Sequence, residues 1–277
     1  MSKRAHDCLI NVHFGDEAQA EWMQRVRKEY FKQGEGIFDK WDIEKVIDEM
    51  DAQGVEKCIV MGQIGKPGGS PFKFVQQRPD RFAMSLGGGN LLQPMKNIRE
   101  IEAIIKNNPV AYLLVGPSFW ADGTYAPDHA VYYPLYTKCV EWDIPLCLNT
   151  GLPGPPIPGE VQNPIHLDRV CHHFPDLKLC MAHGADPWWD IAIRLMVKYP
   201  NLHLMTSAWA PKYLPESLLH YMRTRGKTKI IFASDAPVLS ITRTTTEARA
   251  LDLPEEVMDN WLYANAQRFF FDRLEQA

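Results

Sequence analysis

Short apolar runs and amphipathic stretches alternate along almost the whole chain. Cys8–His13, Glu56–Met61, Arg81–Leu86, Ala111–Val115, Ile144–Asn149, Leu177–His183, Leu202–Ser207 and Lys229–Ala233 are short, apolar and strand-like. Between most of them the period changes. Ile43, Val46, Ile47 and Met50 keep an i, i+3, i+4, i+7 stripe, with Asp42 placed to cap a helix and Gly54 to stop it. Ile98, Ile101 and Ile105 form a second stripe, and Ile193, Met196 and Val197 a third. Strands alternating with helices in this way over 277 residues predict a single (β/α)8 TIM barrel covering 1–277. The competing open, doubly wound sheet lacks its usual mark, because no G-x-G-x-x-G follows the first strand. Gly62–Ser70 is glycine-rich without Walker spacing and reads as a βα loop. Thr150–Asn163 carries Pro153, Pro155, Pro156 and Pro158, so it should be a stiff loop over the barrel mouth. Glu17–Gln33 reads as a helix inserted after the first strand.

Composition narrows the classes. A hydrophobic share of 45% is ample for one packed core, and a net charge of -4 gives no basic footprint for nucleic acid. No apolar run approaches the roughly 18 residues that a membrane span needs. The opening residues have no apolar stretch of the signal-peptide kind. The six cysteines show no C-x-x-C spacing, and Cys8, Cys58, Cys147 and Cys180 fall in predicted strands, so they read as reduced core residues. The expectation is a cytoplasmic protein that takes a small-molecule substrate, with no nucleic-acid or membrane partner.

The chemistry sits where the apolar runs stop. Ile230-Ile231-Phe232-Ala233-Ser234-Asp235-Ala236-Pro237 ends a strand in a carboxylate, followed by a proline that forbids further pairing. Leu177-Lys178-Leu179-Cys180-Met181-Ala182-His183-Gly184 and Cys8-Leu9-Ile10-Asn11-Val12-His13 end the same way in histidine. An α/β barrel keeps its chemistry at the carboxyl ends of its strands. A buried histidine is commonly a satisfied core residue, but the strand-end position favours chemistry for His183. Asp235 is favoured because a carboxylate ending a buried strand is costly without a partner.

Pro164-Ile165-His166-Leu167-Asp168, Phe174-Pro175-Asp176-Leu177, Ala182-His183-Gly184-Ala185-Asp186-Pro187-Trp188, Tyr199-Pro200-Asn201, Ser234-Asp235 and Asn265-Ala266-Gln267-Arg268 together resemble the amidohydrolase superfamily. The resemblance is to the branch containing aminocarboxymuconate-semialdehyde decarboxylase and related hydrolases and lactonases. It implies a distorted, metal-dependent-hydrolase-like barrel. In that branch the first strand ends H-x-H, the fifth and sixth strands each supply a His, and the eighth supplies an Asp. The first pair, the strand-five His and the Asp commonly hold one divalent metal. Here Asn11-Val12-His13 stands at the first position and Asn149 at the fifth, while His183 and Asp235 match.

The resemblance therefore leaves His13 and Asp235 as metal ligands for one zinc or manganese ion, with Asp16 or Glu17 as possible supplements, or else a site without metal. The catalytic candidates are Asp235 as base or ligand, His183 as acid/base or carbonyl polariser, and His13 as ligand or partner of Asp235. Substrate-binding candidates are Asn11, Asn149, Trp188, Ser207 and Arg243. Of Arg223, Arg225 and Arg243, only Arg243 follows the eighth strand closely enough to reach a mouth-bound acid. The expected activity is hydrolysis of an ester, lactone or C–C bond in a small carboxylated or phenolic compound. Non-oxidative decarboxylation stands just behind it, and a catalytically lost binding or supporting subunit is the competing class. Trp261-Leu262-Tyr263 and Phe269-Phe270-Phe271 either seal the barrel bottom or make a contact in a homodimer, which family habit favours.

Overall fold

A computed structural model of the chain describes residues 4–16, 24–30, 32 and 40–276. Its strands are β1 Ala5–Ile10, β2 Val55–Gln63, β3 Phe82–Gly87, β4 Val110–Val115, β5 Leu146–Asn149, β6 Leu179–Ala182, β7 Leu202–Met205 and β8 Ile230–Ile231. They form one eight-stranded parallel sheet in sequence order. Each meets one of the predicted apolar runs, and the fold is a (β/α)8 barrel. Following β1 to β8 in turn are helices α1 Ile43–Ala52, α2 Ser70–Gln77, α3 Pro94–Ile105, α4 Tyr133–Glu141, α5 His166–His173, α6 Trp189–Lys198, α7 Glu216–Arg223 and α8 Ile241–Arg249. The α1 stripe buries Val46, Ile47 and Met50 against the sheet, and Asp42 caps it by accepting the Lys45 N–H at 3.1 Å.

The ends of the strands depart from the sequence reading. β1 starts at Ala5 rather than Cys8, because His6 and Asp7 are fully buried in spite of their polarity. β2 runs on through Gly62 to Gln63. His183, Ser207 and Asp235 lie beyond the last paired residues of β6, β7 and β8. Most of the helix expected over Glu17–Gln33 lies outside the described residues, as does Glu17; Val26–Tyr30 within it is a helical turn.

The barrel closes irregularly. β8 pairs with β7 over two residues, Leu204↔Ile230 and Met205↔Ile231. Its continuation meets β1 through Cys8 N–H to Phe232 O (3.3 Å), Asp235 N–H to Leu9 O (3.0 Å) and Asn11 N–H to Ala236 O (2.6 Å). Helical residues 255–276 close the opposite end. Phe270 packs on Tyr112 with ring centroids 4.9 Å apart, Phe232 meets Trp261 edge-on, and His6 stacks on Tyr263. All six cysteines are free and buried. No described helix is long and apolar enough to cross a membrane.

Candidate active site

Three successive strands end in the same way. His183 (φ 68°), Ala208 (φ 62°) and Asp235 (φ 65°) follow β6, β7 and β8 with left-handed backbone. That conformation is unfavourable for a residue bearing a side chain and persists only where its surroundings hold it. At His183 the following glycine is required, because Gly184 is itself left-handed (φ 69°) and any side chain there would collide with the Trp189 and Trp209 rings.

Asp235 is held by the seam between the last strand and the first. Its N–H bonds Leu9 O, and the preceding Ser234 N–H is taken at 2.9 Å by Asp7 Oδ1, which also accepts Leu9 N–H at 3.4 Å. The Asp7 carboxyl thus does the work of a backbone carbonyl where the pairing is broken. Burial lifts its pKa to about 7, against the opposing hydrogen bonds from Ser234 and Leu9. Asp7 went unnoticed in the sequence, since Arg4-Ala5-His6-Asp7 has no apolar pattern; only its position directly before an apolar run hints at it.

Asn11, one residue past β1, donates Nδ2–H to Asp235 Oδ1 at 2.7 Å and lies 3.4 Å from Ala236 O. Two acceptors on the same side fix which end of the amide faces Asp235. Burial raises the Asp235 pKa to about 7, with the Asn11 hydrogen bond pulling the other way. Asn11 is thus a direct hydrogen-bond partner of Asp235.

His183 is fixed by Ser207 and Trp209. Its backbone N–H donates to Ser207 Oγ at 3.0 Å, the same Oγ lies 3.0 Å from Nδ1, and Trp209 Nε1–H donates to its carbonyl at 2.9 Å. Burial depresses its pKa to about 4, so the imidazole is neutral near pH 7. Asn149 stands beside it, with its residue in register with Ala182. The Asn149 Oδ1 is buried without a hydrogen-bond partner, and its Nδ2 fills the space that a side chain on Gly116 would take. His13 sits in a tight turn, Val12–Asp16, buried, with its ring 4.5 Å from Phe14.

Arg243 is engaged on its own helix, where it bonds Glu247 at 3.0 Å. Trp188 is half-buried at the start of α6, while the neighbouring Trp189 is the one that packs edge-on against Trp209. Asp16, considered as an extra metal ligand, bonds Ser70 through both oxygens (N–H 2.5 Å, Oγ–H 2.6 Å) and caps α2 from outside that helix.

A divalent metal needs about three or four N, S or carboxylate donors, and a neutral amide oxygen is a poor replacement for imidazole. Among the described residues no three His, Cys, Asp or Glu side chains gather in a way that could hold a metal. The donors present do not fit a tightly held cation.

An eight-stranded parallel barrel that carries a buried acid and a half-buried imidazole at the carboxyl ends of its strands defines a TIM-barrel enzyme. The family model described as amidohydrolase matches residues 71–271, and the chain belongs to that family. No curated protein matches the sequence. An uncharacterised TIM-barrel protein from Bordetella bronchiseptica superposes with a TM-score of 0.82 at 20% identity, over 99% of this chain and 100% of that one. A 5-carboxyvanillate decarboxylase from Sphingomonas paucimobilis gives 0.70 at 16% identity, over 97% and 99%. A dihydroxybenzoic acid decarboxylase from Polaromonas sp. JS666, solved with bound manganese and the inhibitor 2-nitroresorcinol, gives 0.67 at 17% identity, over 99% and 98%. At such identities the structural likeness speaks for the fold.

Proposed function

We propose that this chain is a non-oxidative carboxy-lyase acting on a small carboxylated, phenolic compound. The observation that carries this reading is Asp235, a buried carboxyl at the end of β8 whose proton affinity burial sets near neutrality, pKa about 7. An acid matched to the working pH is suited to handing over and regaining a proton. Loss of carbon dioxide requires a proton donor rather than an activated water. The C–C bond breaks with its electron pair left on the ring carbon, Asp235 protonates that carbon, CO2 leaves, and solvent reprotonates Asp235. His183 orients the substrate. Ser207 Oγ accepts the His183 backbone N–H and lies 3.0 Å from Nδ1; in this reading the hydroxyl gives its proton to Nδ1, and Nε2–H is a neutral donor toward a substrate oxygen. Asn149 Oδ1, buried and unpartnered, accepts a substrate hydroxyl. The decarboxylases among the structural relatives favour this order over hydrolysis, which sequence reasoning set first.

In the hydrolytic reading, favoured by the family description, ionised Asp235 takes a proton from water instead. Incubating a panel of phenolic acids and lactones in deuterated water, with mass spectrometry of the products, separates the two. A lyase releases CO2 and leaves one deuterium on the decarboxylated carbon; a hydrolase adds solvent oxygen and keeps the carbon count. Replacing Asp235 by Asn is expected to lower kcat by about 10²–10⁴-fold, the usual contribution of a positioned acid or base. A product without carbon loss, or an unaffected Asp235→Asn variant, removes the lyase reading.

A further inference from the structure

The decarboxylase relative from Polaromonas was solved with bound manganese, and the resemblance puts metal ligands at His13 and Asp235 in this chain. We propose that here a side chain has taken the cation's place: Asn11 holds Asp235, and the site works with no resident divalent metal. This inference is independent of which bond the enzyme breaks.

The geometry of the seam is its main support. Asn11 Nδ2–H occupies the approach to Asp235 Oδ1 at 2.7 Å, one of the two oxygens through which a cation would be coordinated. The amide cannot simply turn to offer its oxygen to a metal, because Ala236 O lies 3.4 Å from the same nitrogen. An oxygen placed there would face the Ala236 carbonyl with no proton between them. The backbone makes the arrangement rigid: Asn11 N–H bonds Ala236 O and Asp235 N–H bonds Leu9 O, so neither residue can withdraw without opening the barrel seam.

Asp16 and one nitrogen of His183 are committed elsewhere. Asp16 spends both carboxylate oxygens on Ser70 at the start of α2. The His183 Nδ1 is engaged by Ser207. At the strand-five position stands Asn149, whose neutral oxygen is a weak ligand for zinc or manganese. Among the described residues, no three His, Cys, Asp or Glu side chains form a group able to hold a metal.

The test is calorimetric titration with manganese and with zinc, on protein purified without a metal-affinity tag. The native chain is compared with Asn11→Asp and Asn11→His, and each is checked for folding by circular dichroism. The native chain is expected to show no saturable site and no thermal stabilisation by either ion. Asn11→Asp sets a second carboxylate against Asp235, a pair that a shared cation relieves, and Asn11→His restores an imidazole. At least one of them is expected to bind manganese tenfold or more tightly than the native chain, on the order of a lost or gained supporting interaction at a metal site. One tightly held equivalent of metal in the native chain, lost on Asp235→Asn, overturns the proposal. Folded variants that both fail to gain metal overturn the part given to Asn11. Metal affinity is read without a substrate, so either result stands apart from the fate of the lyase reading.

Discussion

Ser207 shows how little chemistry a residue needs of its own to matter. Fully buried, it contacts the ring and the backbone of the same histidine, which holds the orientation of His183 and, in the proposed reaction, sets which nitrogen keeps the proton. Ser207→Ala is expected to lower kcat by on the order of tenfold with KM nearly unchanged, since the imidazole remains but samples the wrong tautomer. Ring-nitrogen NMR shifts of His183 check this directly: a native Nε2–H pattern that gives way to a tautomer mixture in the variant supports the assignment, and an unchanged spectrum refutes it. The strand-end positions of Asp235 and His183 were legible in the sequence because each ends an apolar run. The part of Asn11 was not. It reads as a missing ligand until its amide is seen beside Asp235, a contact between residues 224 positions apart that no local pattern encodes.

At the scale of elements, strand existence follows from apolar runs, but strand ends follow from pairing. The predicted runs stop at His183 and Ser207 because the apolar character stops there, whereas the ladders stop one and two residues sooner, at Ala182 and Met205. The extra residues are those that turn left-handed or lead into such a turn. β1 errs in the other direction, as Asp7 is buried by its task in the seam rather than by its hydrophobicity. A comparable tie joins the turn after β1 to α2, where Asp16 receives both donors of Ser70. Asp16→Ala is expected to cost about 1–2 kcal/mol of stability, the usual loss at a helix cap, measured by urea denaturation. Asp16→Asn, which keeps an acceptor oxygen, should lose less. A full-strength loss in the Asn variant would point to charge rather than capping geometry.

At the scale of the molecule, buried ionisable groups of opposite tendency are set against each other. Burial lowers His6 and His183 to about 4 and His203 to about 3, so these histidines favour folding above pH 6.5 and withdraw that support as pH falls through 4. Burial raises Asp7 and Asp235 to about 7, so their contribution is present at low pH and is lost as pH rises through 7. Near pH 5, unfolding takes up three protons on the histidines and releases two from the carboxyls, a net uptake of one. Stability is expected to rise only gently with pH between about 4.5 and 6. Asp7→Asn removes one of the released protons, so the slope of unfolding free energy against pH should roughly double. Urea midpoints across that range test this, and an unchanged slope would mean that Asp7 is ionised in the folded chain.

The seam between β1 and β8 also has a bearing on how the protein is made. Asp235 takes its hydrogen bond from Asn11, and its strand is anchored by Asp7 and Leu9, all of them more than two hundred residues upstream of it. β1 can pair early with β2, but its other edge stays open until more than two hundred further residues have been synthesised. Contacts so distant in sequence form late, after their long loop has been closed. The acid therefore acquires its partner only at the last step of barrel assembly, and a nascent chain carries β1 as an exposed edge without a poised carboxyl. Activity thus reports a completed barrel, and a pause in translation before strand eight would leave an edge open to aggregation rather than a partly working enzyme.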